Sequence, residues 1–110
     1  MTSPTRTPLH RQASTVRTLL ALIDQYPNLP AADFDVSSSP VGERLTINVH
    51  NDPAGFEMWR EALGLNPENS ELVAFSDFAA VKVFGQTDGI RVRLIGYLPP
   101  VLDAAPAAAA

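Results

Sequence analysis

Apolar residues alternate between helical and strand periods along most of the chain. From Ser14 to Gln25 the residues Val16, Leu19, Leu20, Leu22 and Ile23 recur at helical spacing and predict one broad apolar stripe. Ser14 is the expected N-cap. Pro27 ends the helix near Tyr26, because a residue before proline is pushed out of helical geometry, and Pro30 continues the loop. Period-two alternation follows. Phe34 and Val36 alternate with Asp35 and Ser37; after a turn at Ser39-Pro40-Val41-Gly42, Leu45, Ile47 and Val49 alternate with Thr46, Asn48 and His50. Such runs predict strands of a sheet with one buried face, with Thr46, Asn48 and His50 on the open one.

The second helix has the clearest punctuation. Asp52 stands at the N-cap and Pro53 at the first helical position, where its missing N–H costs nothing. Phe56, Trp59, Ala62 and Leu63 form the buried stripe. Gly64 suits a left-handed C-terminal cap, and Glu57 with Arg60 makes an i, i+3 pair on the outer side. After an Asn66-Pro67 turn, Glu71 to Phe84 reads as one strand with a break or bulge near Ser76-Asp77, since fourteen residues is long for a strand. The last strand runs from about Ile90 to Tyr97.

Asp88-Gly89 between these two runs is a hairpin signal, because a type I′ turn needs positive φ at both central positions. A two-residue loop there pairs Thr87 with Ile90, hence Val83 with Leu94 and Phe84 with Arg93. Inward residues then meet inward residues, which a one-residue slip would destroy. The expected order is α-β-β-α-β-β: an α+β two-layer sandwich, a mostly antiparallel four-stranded sheet with two helices on one face.

The ends lack this patterning. Residues 1–13 hold two prolines and several Thr and Ser, and 99–110 are Pro- and Ala-rich. Both are expected to be disordered tails around a single domain at 14–98. There is no cysteine, which excludes disulfides, thiolate catalysis and zinc–thiolate sites and points to a reducing, cytoplasmic setting. No apolar stretch is long enough to cross a bilayer. The net charge is −4, unevenly spread. Up to Arg17 there are Arg6, Arg11, Arg17 and His10 and no acid. The remainder has twelve acids against five bases, a net of −7. An acidic body discourages non-specific nucleic-acid binding.

Catalytic signals are absent. His50, Asn51 and Asp52 are adjacent, but Asp52 is accounted for as a cap and a metal site needs three or four converging ligands. His50 could approach Ser37 across paired strands as an ordinary cross-strand contact. No serine sits in a nucleophile elbow, and the six glycines are scattered rather than gathered in a phosphate loop. The expectation is no enzyme, no metal and no cofactor.

The open sheet face is the candidate site. Lys82, Phe84, Arg91, Arg93 and Tyr97 should share it, with Ile95, Thr46, Asn48 and His50, and Phe84 opposite Arg93 is placed where a cation–π stack could form. Arginine and aromatic residues are favoured at the centres of protein interfaces, so the expected partner is another protein or a second copy of the chain. The alternative is single-stranded nucleic acid, which sheets carrying bases and aromatics can bind.

Tyr26-Pro27-Asn28-Leu29-Pro30, Phe56-Glu57-Met58-Trp59-Arg60-Glu61-Ala62-Leu63-Gly64 and Val92-Arg93-Leu94-Ile95-Gly96-Tyr97 resemble a group of small actinobacterial proteins, some associated with phages or mobile elements. The resemblance spans about Leu19 to Tyr97. It implies an accessory role and transfers no functional residue.

Overall fold

A computed structural model describes residues 8–39, 42–87 and 89–99. The chain forms helix α1 (Ala13–Gln25), strands β1 (Asp33–Ser39) and β2 (Gly42–His50), helix α2 (Pro53–Leu63), and strands β3 (Ser70–Ala74), β4 (Ala79–Thr87) and β5 (Ile90–Leu98). The fold is α+β, with two helices and one sheet, but the sheet has five strands rather than four. The fourteen-residue run breaks at Ser76-Asp77, as read, and the break is a full reversal that makes the β3–β4 hairpin, closed where the Phe75 amide donates to the Phe78 carbonyl at 2.7 Å.

Strand order is β1-β2-β5-β4-β3. The three hairpin pairings are antiparallel, and the central β2–β5 pairing is parallel. The sheet is therefore mixed: α2 carries the chain back to the far side of the sheet, and the last strand closes against the second. The Asn51 amide extends this contact by donating to the Tyr97 carbonyl at 2.7 Å. The β4–β5 register is the expected one, with Thr87 opposite Ile90, Val83 opposite Leu94 and Phe84 opposite Arg93. Gly89 has the positive φ of 78° that the turn requires. Asp88, Pro40 and Val41 of the expected turns, and both ends of the expected tails (1–7 and 100–110), lie outside the described residues.

Leu45, Ile47, Val49, Val83, Val92 and Leu94 line the inner face and join Leu22 of α1 and Phe56 and Trp59 of α2 in one core. Both helices thus cover the same side. Trp59 donates from Nε1 to the Pro30 carbonyl at 2.9 Å, which lets a large ring be buried without orphaning its N–H. Its ring meets Phe34 edge-on at 5.9 Å. Two glycines on the sheet make room for the helix layer. A Cβ on Gly96 would lie 2.6 Å from Phe56 Cδ1, and one on Gly85 would collide with Leu65.

The α2 punctuation is as read. Asp52 Oδ1 accepts from the Gly55 amide at 2.9 Å, and Gly64 takes the left-handed cap at φ 68°. The α1 reading needs correction. Ser14 is not the N-cap: a 3-10 turn over Leu9–Gln12 leads directly into the helix. The buried side of α1 is Thr15, Thr18 and Leu22, whereas Val16, Leu20 and Ile23 are 50%, 58% and 45% exposed. At about 100° per residue the apolar arc covers half of the helix, and only one flank of it reaches the sheet. The position of α1 is fixed at its start, where Gln12 Nε2 donates to the Val36 carbonyl at 3.2 Å and Arg11 pairs with Glu43 at 3.1 Å.

Candidate functional site

Strand parity assigns the face opposite the helices. The register aligns Arg44 with Arg91, Thr46 with Arg93, Asn48 with Ile95 and His50 with Tyr97 across β2 and β5. β4 adds Lys82, Phe84 and Gln86, and β1 adds Asp33, Asp35 and Ser37. All five sequence-predicted residues, Lys82, Phe84, Arg91, Arg93 and Tyr97, are on this face, but they do not form one site.

Phe84, Arg91 and Arg93 line a cleft of about 500 Å³ together with Arg44, Gln86, Gly85 and Val92. Tyr97 is four residues further along β5, about 13 Å at strand rise, and is engaged elsewhere. Its hydroxyl donates to Asn48 Oδ1 at 3.1 Å, and Asn48 Nδ2 donates to Asp35 Oδ2 at 3.0 Å, tying β5, β2 and β1 together. The Tyr97 ring stacks on His50 at 4.7 Å and meets Phe78 at 6.0 Å, and Phe78 in turn stacks on Phe75 at 4.5 Å. His50 Nε2 lies 3.3 Å from Asp33 Oδ2, not near Ser37, which pairs with Arg44 instead. This end of the face is therefore a packed aromatic and polar cluster. Lys82 occupies the middle, in register with Ile95 on one side and Glu71 on the other, and is not part of the cleft lining.

The centre of the face is less open than its polarity predicts. Thr46, Asn48, Ala80 and Ile95 are all buried, screened by the longer side chains around them. Open surface is concentrated at the ends, and Phe84 is 42% exposed at the cleft.

The electrostatics of the cleft are one-sided. Arg44, Arg91 and Arg93 are half-buried. Among the described residues, ion pairs join Arg11 to Glu43 and Arg60 to Glu57 and Glu61; none involves a cleft arginine or Lys82. The Nε atoms of Arg91 and Arg93 are enclosed and have no hydrogen-bond partner. Buried donors are rarely left unpaired, because the loss of water's hydrogen bonds is then uncompensated. The acids of the face are on the two edge strands: Asp33 and Asp35 on β1, beside β2, and Glu71 on β3.

Arg44 and Gln86 are the residues that sequence reasoning missed. Arg44 is outward by the same alternation that buries Leu45 and Ile47, so its face was legible. Its neighbour was not, since only the parallel β2–β5 pairing sets it beside Arg91. The cleft offers no group poised for catalysis: its polar side chains are three guanidiniums and an amide, which bind anions but do not exchange protons near neutral pH. Among the described residues no three His, Asp or Glu side chains gather as metal ligands, and no helix is long and apolar enough to cross a membrane. No protein-family model, no curated protein and no solved structure matches the chain.

Proposed function

We propose that this chain is a non-catalytic binding module that docks an acidic segment of a partner protein on its open sheet face, at the Arg44–Arg91–Arg93 cleft. The observation that carries the reading is three arginines sharing one cleft without an acidic partner among the described residues, on a chain whose net charge is negative. Such a cluster is a local attractor for anions and steers their encounter. Phe84, exposed at its rim and opposite Arg93, supplies the apolar anchor that interface centres favour.

The charge layout weighs against the nucleic-acid alternative. A strand laid across the sheet would run from the cleft towards Asp33 and Asp35, or past Glu71 on β3, and meet like charge at each edge. Tyr97, the second aromatic that alternative needs, is already stacked and hydrogen-bonded.

Fluorescence anisotropy with labelled hexaglutamate and labelled oligo-dT tests the reading. Hexaglutamate should bind at low salt, weaken as salt is added, and lose binding to the folded Arg91→Glu/Arg93→Glu variant. Tighter binding of oligo-dT, or hexaglutamate binding that survives the charge reversal, contradicts it.

A further inference from the structure

The cleft has a stoichiometry of charge and donors that says more than that it attracts acids. Arg44 and Arg91 are register partners on adjacent strands, about 5 Å apart, and Arg93 follows on the same face about 7 Å along β5. This triangle is small compared with the reach of the side chains, and all three line the same cleft. A carboxylate has two oxygens in one plane and one negative charge, so it satisfies one or two guanidinium forks. A phosphate monoester at neutral pH has up to two charges and three terminal oxygens pointing in different directions, one for each fork. The cleft volume, about 500 Å³, is in the range of small-ligand sites and accommodates the group that bears the phosphate. Phe84 opposite Arg93 gives that group an aromatic surface to lie on.

We infer that the Arg44–Arg91–Arg93 cleft is a phosphate-monoester site, with each guanidinium engaging a terminal phosphate oxygen and Phe84 flanking the esterified group. This rests on the binding-module reading and narrows it: the acidic feature of the partner is a phosphorylated side chain, or the same chemistry is met as a free phosphate ester.

The test is an NMR titration of the arginine Nε–Hε resonances of the full chain with three probes: inorganic phosphate, a pentaglycine-type peptide with a central phosphotyrosine, and hexaglutamate. Both phosphate probes should shift the Arg44, Arg91 and Arg93 resonances saturably. Tighter binding of the phosphopeptide assigns the site to polypeptide partners, and equal binding assigns it to free phosphate esters. Arg91→Lys retains the charge but loses the fork, so it should weaken the phosphopeptide roughly tenfold or more. Phe84→Ala should remove the preference for phosphotyrosine over inorganic phosphate. If hexaglutamate shifts these resonances and neither phosphate probe does, the phosphate inference is overturned and the binding module stands. If none of the three shifts them, both fall. Circular dichroism of each variant confirms that it is folded.

Discussion

Replacing Arg93 by methionine should make the protein more stable while weakening anion binding. Methionine keeps most of the aliphatic stem but removes the charge and the enclosed Nε, which has no partner in the folded chain. Two unit charges about 7 Å apart repel by about 0.6 kcal/mol in water and about 2.4 kcal/mol at an effective dielectric constant of 20. Arg93 shares the cleft with Arg91, about 7 Å along β5 at backbone spacing, and with Arg44, diagonally across on β2. Leaving a buried donor unsatisfied costs about 1–3 kcal/mol, of which a half-buried side chain incurs only part. Against this stands some lost stem packing. We expect a net gain of about 1–2 kcal/mol, which for a domain this size raises Tm by roughly 4–8 °C per kcal/mol. Urea unfolding followed by circular dichroism measures it directly. Salt gives an internal control: between about 0.01 M and 1 M the screening length falls from about 30 Å to about 3 Å, so the wild type should gain more stability from salt than Arg93→Met does. A variant less stable than wild type by more than about 1 kcal/mol, with an unchanged salt response, would refute the reasoning. It would mean that the guanidinium is satisfied within the folded chain.

Gly96→Ala should destabilise by about 1–3 kcal/mol, because its Cβ would be placed 2.6 Å from Phe56 Cδ1, and Phe56→Leu in the same chain should recover part of the loss in a double-mutant cycle. Leu20→Gln should change stability by less than about 0.5 kcal/mol, since the side chain is 58% exposed on the outer flank of α1; a clearly larger loss in urea unfolding would show that flank to be covered in solution. The Arg60 hydrogen bond holds the Glu57 carboxyl below its ordinary pKa, with burial opposing and the Arg60 charge assisting. A depressed carboxylate contributes stability that is present above its unfolded pKa and is lost as pH falls through the folded value. Glu57→Gln should therefore flatten the acid limb of the stability profile slightly, and an unchanged limb counts against the pair contributing; the effect is small because the pair is exposed.

What could be read from the sequence followed from local rules. A two-residue turn and strict alternation fixed Val83 against Leu94, and with it the sidedness of Lys82, Phe84, Arg91 and Arg93. Asp52, Pro53 and Gly64 bounded α2 because capping is decided within one turn of helix. The parallel β2–β5 pairing was out of reach because no turn joins those strands, so no local signal makes them neighbours, and registers two residues apart keep the same inward-to-inward match. For that reason Arg44 stayed outside the predicted site and Tyr97 was placed within it. The exposed half of α1 shows a different limit. Periodicity locates an apolar arc but not which flank of a wide arc meets the sheet, and here the contact falls on Thr15, Thr18 and Leu22.

The most direct test of the account is where an acidic ligand leaves its footprint. Amide chemical shifts of the full chain, recorded with and without the phosphotyrosine peptide, should change at the start of β2 and β5 and the end of β4, around Arg44, Phe84–Gln86 and Arg91–Arg93. Little change is expected at His50 and Tyr97 or on α1. A footprint centred on Val16, Leu20 and Ile23, or on the His50–Tyr97–Phe78 cluster, would contradict it and assign binding to a different surface.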